Sequence, residues 1–83
     1  MQYKAATAIV LIVTEPGKEH DVIDALRQVE EVTESLLLFG EYDVFAKLEC
    51  PDFGYLSNIV VNRIRNIDGV ETTKTLTAAP LLD

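Results

Sequence analysis

The stretch VTESLLLFGEYDVFAKLEC, Val32–Cys50, decides the fold. Its first half, Val32–Phe39, is apolar and suited to a strand. In its second half Val44, Ala46 and Leu48 alternate with Phe45, Lys47 and Glu49, the period of two of a half-buried strand. Gly40, Glu41 and Tyr42 stand between the two runs. Glycine at the first central position suits a two-residue hairpin turn whose twist matches its flanking strands. Two strands therefore follow one another directly in the middle of the chain.

Outward on both sides the pattern changes to helical. Lys18–Val29 carries Val22, Ile23, Leu26 and Val29 on one face and Asp21, Asp24, Arg27 and Gln28 away from it. Beyond Cys50, Pro51 ends the strand and Asp52 is placed as the N-cap of a second helix. Leu56, Ile59, Val60, Ile64 and Ile67 form the stripe of that helix, which runs to about Asn66. Asp68–Gly69 stops it. The outermost segments are strands again: ATAIVLIVT, Ala6–Thr14, broken by Pro16–Gly17, and VETTKTLTA, Val70–Ala78, closed by Pro80. The order is βαββαβ. With right-handed crossovers it gives an α+β, ferredoxin-like sandwich, an antiparallel sheet of four strands with both helices on one face.

That arrangement has a consequence for assembly. Ala8, Val10 and Ile12 point to one side of the first strand and Ile9, Leu11 and Val13 to the other, yet two helices cover one side only. Contiguous exposed apolar patches above a few hundred Å² are rare on soluble monomers. The sequence predicts a homodimer with sheets packed face to face. An 83-residue chain is a single domain, residues 1–83, and buries roughly 60% of its unfolded surface, which also favours association.

Composition narrows the function. A net charge of −7 with seven basic residues spread along the chain argues against direct nucleic-acid binding. No apolar run approaches a membrane span and the N-terminus lacks a signal-peptide layout, so the expected location is cytoplasmic. The single cysteine, Cys50, is in phase with the buried side of its strand and reads as an inert thiol. His20, beside Glu19 and Asp21, reads as part of a solvated helix start. No metal or cofactor is expected, and there is no P-loop, Cys–His pair or serine elbow. Asp24, Glu30, Glu31 and Glu34 read as solvated acidic surface, and Arg63 and Arg65 as surface charge or an ion pair between dimers.

Three segments, TEPGKEHDVIDALRQVEEVTES, GEYDVFAKLECPD and IRNIDGVETTKT, resemble the effector domain of the leucine-responsive regulatory protein (Lrp)/AsnC family, also called the RAM domain. The likeness runs from about Ala6 to Thr77 in matching order and spacing. It implies a non-enzymatic amino-acid sensor that dimerises through its sheets. It also implies assembly into rings of four dimers, with effector sites between subunits near the Gly-x-x-Asp turn. The matching positions are Gly40, Glu41, Tyr42 and Asp43, with Leu37 before them and Leu76, Thr77 and Ala78 in the last strand. Family members carry a helix-turn-helix domain ahead of this module. Only Met1–Ala5 precede the first strand here, so the expectation is a stand-alone module that acts alone or with a full-length regulator.

In this assignment Asp43 accepts the ammonium of a free amino acid in charge-assisted hydrogen bonds. Backbone N–H groups at Gly40 meet its carboxylate, and Leu37, Leu76 and Ala78 touch its side chain. Other readings differ in kind. GEYD is simply a hairpin turn, the chain is a structural co-assembly subunit, or it is a small ferredoxin-like enzyme with an acid or base in a cavity between sheets.

Overall fold

The computed structural model describes residues 6–79; Pro80, read as the strand terminator, and Met1–Ala5 lie outside them. Strand β1 spans Ala6–Thr14, helix α1 Glu19–Leu26, β2 Val32–Leu37, β3 Val44–Cys50, α2 Phe53–Ile59 and β4 Val70–Thr77. The four strands form one sheet in the order β2-β3-β1-β4, every neighbouring pair antiparallel. The ferredoxin-like expectation holds, and β1, the most apolar strand, is central.

Helices α1 and α2 both lie on one face, α1 over β2 and β3 and α2 over β3 and β1. Beneath them Ala8, Val10 and Ile12 of β1 and Val44, Ala46 and Leu48 of β3 are fully buried. Val22, Ile23, Leu26 and Val29 meet them from the α1 side, and Leu56, Ile59, Val60 and Ile64 from the α2 side. The predicted stripes are thus the buried ones. Helix α1 is shorter than its stripe: beyond Leu26 the Gln28 and Val29 amides bond back only three residues, to Ala25 and Leu26, and Val29 is buried from a turn. Asp52 caps α2 as expected, its carboxylate accepting the Tyr55 amide at 2.8 Å.

Past Ile59 the predicted α-helix does not continue. Val60–Ile64 is π-helical, closed by an Arg65 amide bond of 3.0 Å to the Val60 carbonyl five residues back. Ile64 stays fully buried in the core across the wider turn, and Arg63 beside it is exposed.

Gly69 joins this segment to β4 with φ +99°, and a Cβ there would stand 2.8 Å from Lys18 Cβ and 3.2 Å from Val22 Cγ2. Its carbonyl also accepts the Glu15 amide at 2.8 Å. Both backbone conformation and space demand glycine. Gly69→Ala should therefore cost about 1–3 kcal/mol. Thermal denaturation checks this; a melting temperature within a degree of wild type would show that the turn adapts without strain.

The face away from the helices is open. Cross-strand pairing places Leu36, Phe45, Leu11 and Lys74 in one row and Glu34, Lys47, Ile9 and Leu76 in the next. Leu36 and Leu76 are 48% exposed, while Ile9, Leu11, Val13 and Phe45 are half-buried by their neighbours. The predicted apolar patch is present, with charge at its margins and at Lys47.

Candidate functional site

The turn between β2 and β3 is longer than a two-residue hairpin. The strands stay paired to Leu37 and Val44, and the Leu38 amide then donates to the Asp43 carbonyl at 2.9 Å. Phe39, Gly40, Glu41 and Tyr42 form the loop inside that bond. The two-residue alternative therefore fails, because the ladder stops one pair short of Phe39 and Tyr42 and leaves four residues to reverse the chain. Gly40 has φ +134°, and a Cβ there would meet nothing within 4 Å. The backbone, not crowding, calls for glycine, and space beside it is open. Phe39 next to it is fully exposed.

Asp43 has a structural task. Its amide donates to the Ile12 carbonyl at 2.8 Å, and its Oδ2 accepts the amide of buried Thr14 at 2.9 Å and the Thr14 hydroxyl at 3.4 Å. The carboxylate thereby satisfies the end of β1, where the pairing with β4 slips between Val13 and Thr14. Both side-chain bonds use Oδ2, and among the described residues Oδ1 accepts none.

The expected site residues divide into two groups. Leu37, Gly40, Glu41, Tyr42 and Asp43 lie together at one end of the sheet. Leu76, Thr77 and Ala78 lie at the other end of β4, where Leu76 pairs with Ile9, Thr77 with Ala8, and the Ala78 amide donates to the Thr7 carbonyl. Asp43 meets β1 at Ile12 and Thr14. The two groups are thus separated by roughly 13 Å along β1 and about 10 Å across it. The second group is itself split between faces, with Leu76 on the open side and Thr77 on the helix side. One chain does not bring them together; a pocket holding both groups needs a second copy.

Thr77 belongs to a different enclosure. Because neither helix lies over β4, its helix-side face borders a groove of about 590 Å³ against α2 and the π-helical turn. Thr73, Thr75 and Thr77 form one wall with Ser57 opposite, and Leu56, Val60 and Val70 form the floor. Arg65 and Glu71 also line it. In the sequence Arg65 is ordinary surface charge and Glu71 one polar residue of a threonine-rich strand. The signal that could have found the groove is the threonine at every second position, facing a helix.

A second feature was hidden in the same way. Glu31 is not simply solvated: it accepts a hydrogen bond from the Tyr55 hydroxyl through Oε2, while its Oε1 is buried without a partner among the described residues. The bond holds the Glu31 carboxyl below its usual pKa and pushes the Tyr55 phenol above its own. It ties the approach to β2 to the start of α2. Cys50 is buried as expected, and burial pushes its thiol up, the direction of an unreactive sulfur. His20 sits exposed on α1, across the sheet from the open face. Among the described residues no three potential ligands gather as a metal site, and no helix is long and apolar enough to cross a membrane.

Comparison with known proteins agrees with this architecture. The model of the Lrp/AsnC ligand binding domain matches residues 7–79. The regulatory protein AsnC of Escherichia coli K12 is 30% identical over 66 residues, which are 78% of this chain and 43% of AsnC. The chain thus spans less than half the length of the curated relatives it matches. Among solved structures, FFRP-DM1 superposes with a TM-score of 0.86 at 34% identity, covering 89% of this chain and 99% of that one. TTHA0845 of Thermus thermophilus gives 0.86 at 29% identity, covering 94% and 98%. The regulator NMB0573 of Neisseria meningitidis, solved as its complex with L-Met, shares the fold with a TM-score of 0.81 at 19% identity, over 94% of this chain and 52% of that one.

Proposed function

The chain belongs to the Lrp/AsnC ligand-binding domain family, and on that premise we propose that it is a non-catalytic sensor module of transcription regulation that binds an amino acid between subunits. The observation that carries this reading is the Gly40–Asp43 loop: a glycine flanked by open space next to a carboxylate anchored through one oxygen only. Asp43 Oδ1 takes the ammonium, amides around Gly40 take the carboxylate, and Leu37 receives the side chain. Leu76, Thr77 and Ala78 complete the pocket from a neighbouring copy, since they stand too far away within one chain. The L-Met complex of the Neisseria relative supports an amino acid as the ligand class. A homodimer through the open sheet face, assembled further into a ring of four dimers, supplies the neighbours. It signals through protein contacts and not by holding nucleic acid itself.

The test is thermal stabilisation by each of the twenty amino acids, and the informative variant is Asp43→Asn. Asp43→Ala would orphan the buried Thr14 amide, at about 1–3 kcal/mol, and blur the result. Asparagine keeps a carbonyl for Thr14 and removes the charge an ammonium needs. One or a few amino acids should raise the wild-type midpoint, by about 2.7 kcal/mol at 100 times Kd. The rise should vanish in Asp43→Asn, whose own midpoint stays close to wild type. An equal rise in both proteins would remove Asp43 from the site.

Co-assembly with a full-length regulator is the second reading. It is favoured by the open apolar face, which a homologous sheet would also cover. Mixing the chain with such a regulator and measuring the mass of the complex would separate the two.

A further inference from the structure

We infer that the groove between α2 and β4 is a second amino-acid site, complete within one chain, in which the Arg65 guanidinium takes the ligand's carboxylate and the Glu71 carboxylate its ammonium. The inference rests on the reading above for the class of ligand but not for the location.

Charge distinguishes the two places. The segment Leu37–Asp43 carries two acids, Glu41 and Asp43, and no cation, so a ligand carboxylate there relies on backbone amides alone. The groove offers one charge of each sign. Arg65 and Glu71 line it together, yet among the described residues neither forms an ion pair with the other or with a third group. Both keep their charges for a ligand bearing the opposite pair. On a chain of net charge −7, a carboxylate needs such a local cation to approach.

Two backbone irregularities converge on these residues. Arg65 follows the π-helical turn, and its own amide closes it on Val60. Glu71 is the unpaired residue of a β-bulge, because Val70 pairs with Thr14 and Thr72 with Val13. A π-turn and a bulge each re-aim a side chain at a small cost in regular hydrogen bonding. Here the two face the same groove from opposite walls.

The rest of the lining suits the remainder of an amino acid. Thr73, Thr75 and Thr77 present hydroxyls about 6–7 Å apart along β4, able to donate or accept. Leu56 and Val60 provide an apolar floor. A short uncharged side chain fits between the hydroxyl wall and that floor; a charged one would meet no counter-charge beyond the two already engaged.

The experiment is a two-dimensional amide NMR titration of the full chain with each of the twenty amino acids. The same titrations are run on Arg65→Gln, Glu71→Gln and Asp43→Asn. Arg65 and Glu71 are exposed, so their variants should fold as wild type. At least one amino acid should shift the amides of Glu71, Thr72, Thr73 and Thr75, which line the groove and take no part in the loop site. Its affinity there should fall about tenfold or more in Arg65→Gln and in Glu71→Gln and stay unchanged in Asp43→Asn. The N-acetylated form of that amino acid, lacking the ammonium, should not bind the groove of wild type. Shifts confined to Leu37–Asp43 and Leu76–Ala78, or groove shifts that persist equally in both groove variants, would overturn the inference. Shifts in the groove with none in the loop would support it and overturn the loop site. No shift with any amino acid would overturn both.

Discussion

Leu11→Asp is expected to run as a monomer in sedimentation equilibrium, whereas the wild type should run as the proposed dimer or a multiple of it. Leu11 lies at the middle of the open face, between Phe45 on β3 and Lys74 on β4. It points away from the helices and takes no part in the core, so the variant keeps its own fold. In a two-fold interface each substitution acts twice. Losing the burial of two leucines costs about 3–6 kcal/mol, before any penalty for confining two carboxylates. The dimer dissociation constant should rise about a hundredfold to ten-thousandfold. Circular dichroism of the variant should match wild type. A variant that stays dimeric would place the interface elsewhere and leave the open face unexplained.

Leu48→Ala acts on the other face of the same sheet. Leu48 is fully buried on β3, paired with Ala8 of β1 and Val32 of β2. Truncation there should cost about 2–5 kcal/mol, the spread depending on how far the helices settle into the gap. Domains of this size hold roughly 5–15 kcal/mol, so the loss is a large share of the total. The melting temperature should drop by on the order of 10–30 °C when measured at one protein concentration. Leu48→Met, which nearly conserves volume, should lose less than about 1.5 kcal/mol. A drop of only a degree or two in Leu48→Ala would mean that the two helices do not seal this face.

These contrasting expectations show why the fold was legible in the sequence. Period-two alternation in Val44–Cys50 and the stripe of Val22, Ile23, Leu26 and Val29 report burial directly, and burial is what the sheet and helices share. The π-helical turn after Ile59 was not legible. Its five-residue bond leaves Val60 and Ile64 on the same face that an α-helix would give them, so the apolar spacing is nearly unchanged. The loop at Gly40 was legible as a reversal but not in its length, because Phe39 is as apolar as the strand before it. The two groups of expected site residues could be named one by one from resemblance, but not their separation, which depends on β2 and β4 being opposite edges. Arg65 and Glu71 look like any surface pair until the bulge and the wider turn face each other.

The order of strands also governs how the chain acquires its shape as it is made. Of the four strands of the sheet, the central β1 is synthesised before the others, yet one of its two flanks is β4, the last of the four. Until Val70–Thr77 leave the ribosome, β1 has an unpaired edge and the floor of the threonine-walled groove has no outer wall. The pairing that closes this edge joins residues as far apart in the chain as Ala8 and Thr77, the kind of contact that forms late and slowly. A nascent chain halted before Gly69 would therefore display both an unsatisfied strand edge and the apolar face. Its first requirement in the cell would be shielding from other nascent chains, not a ligand.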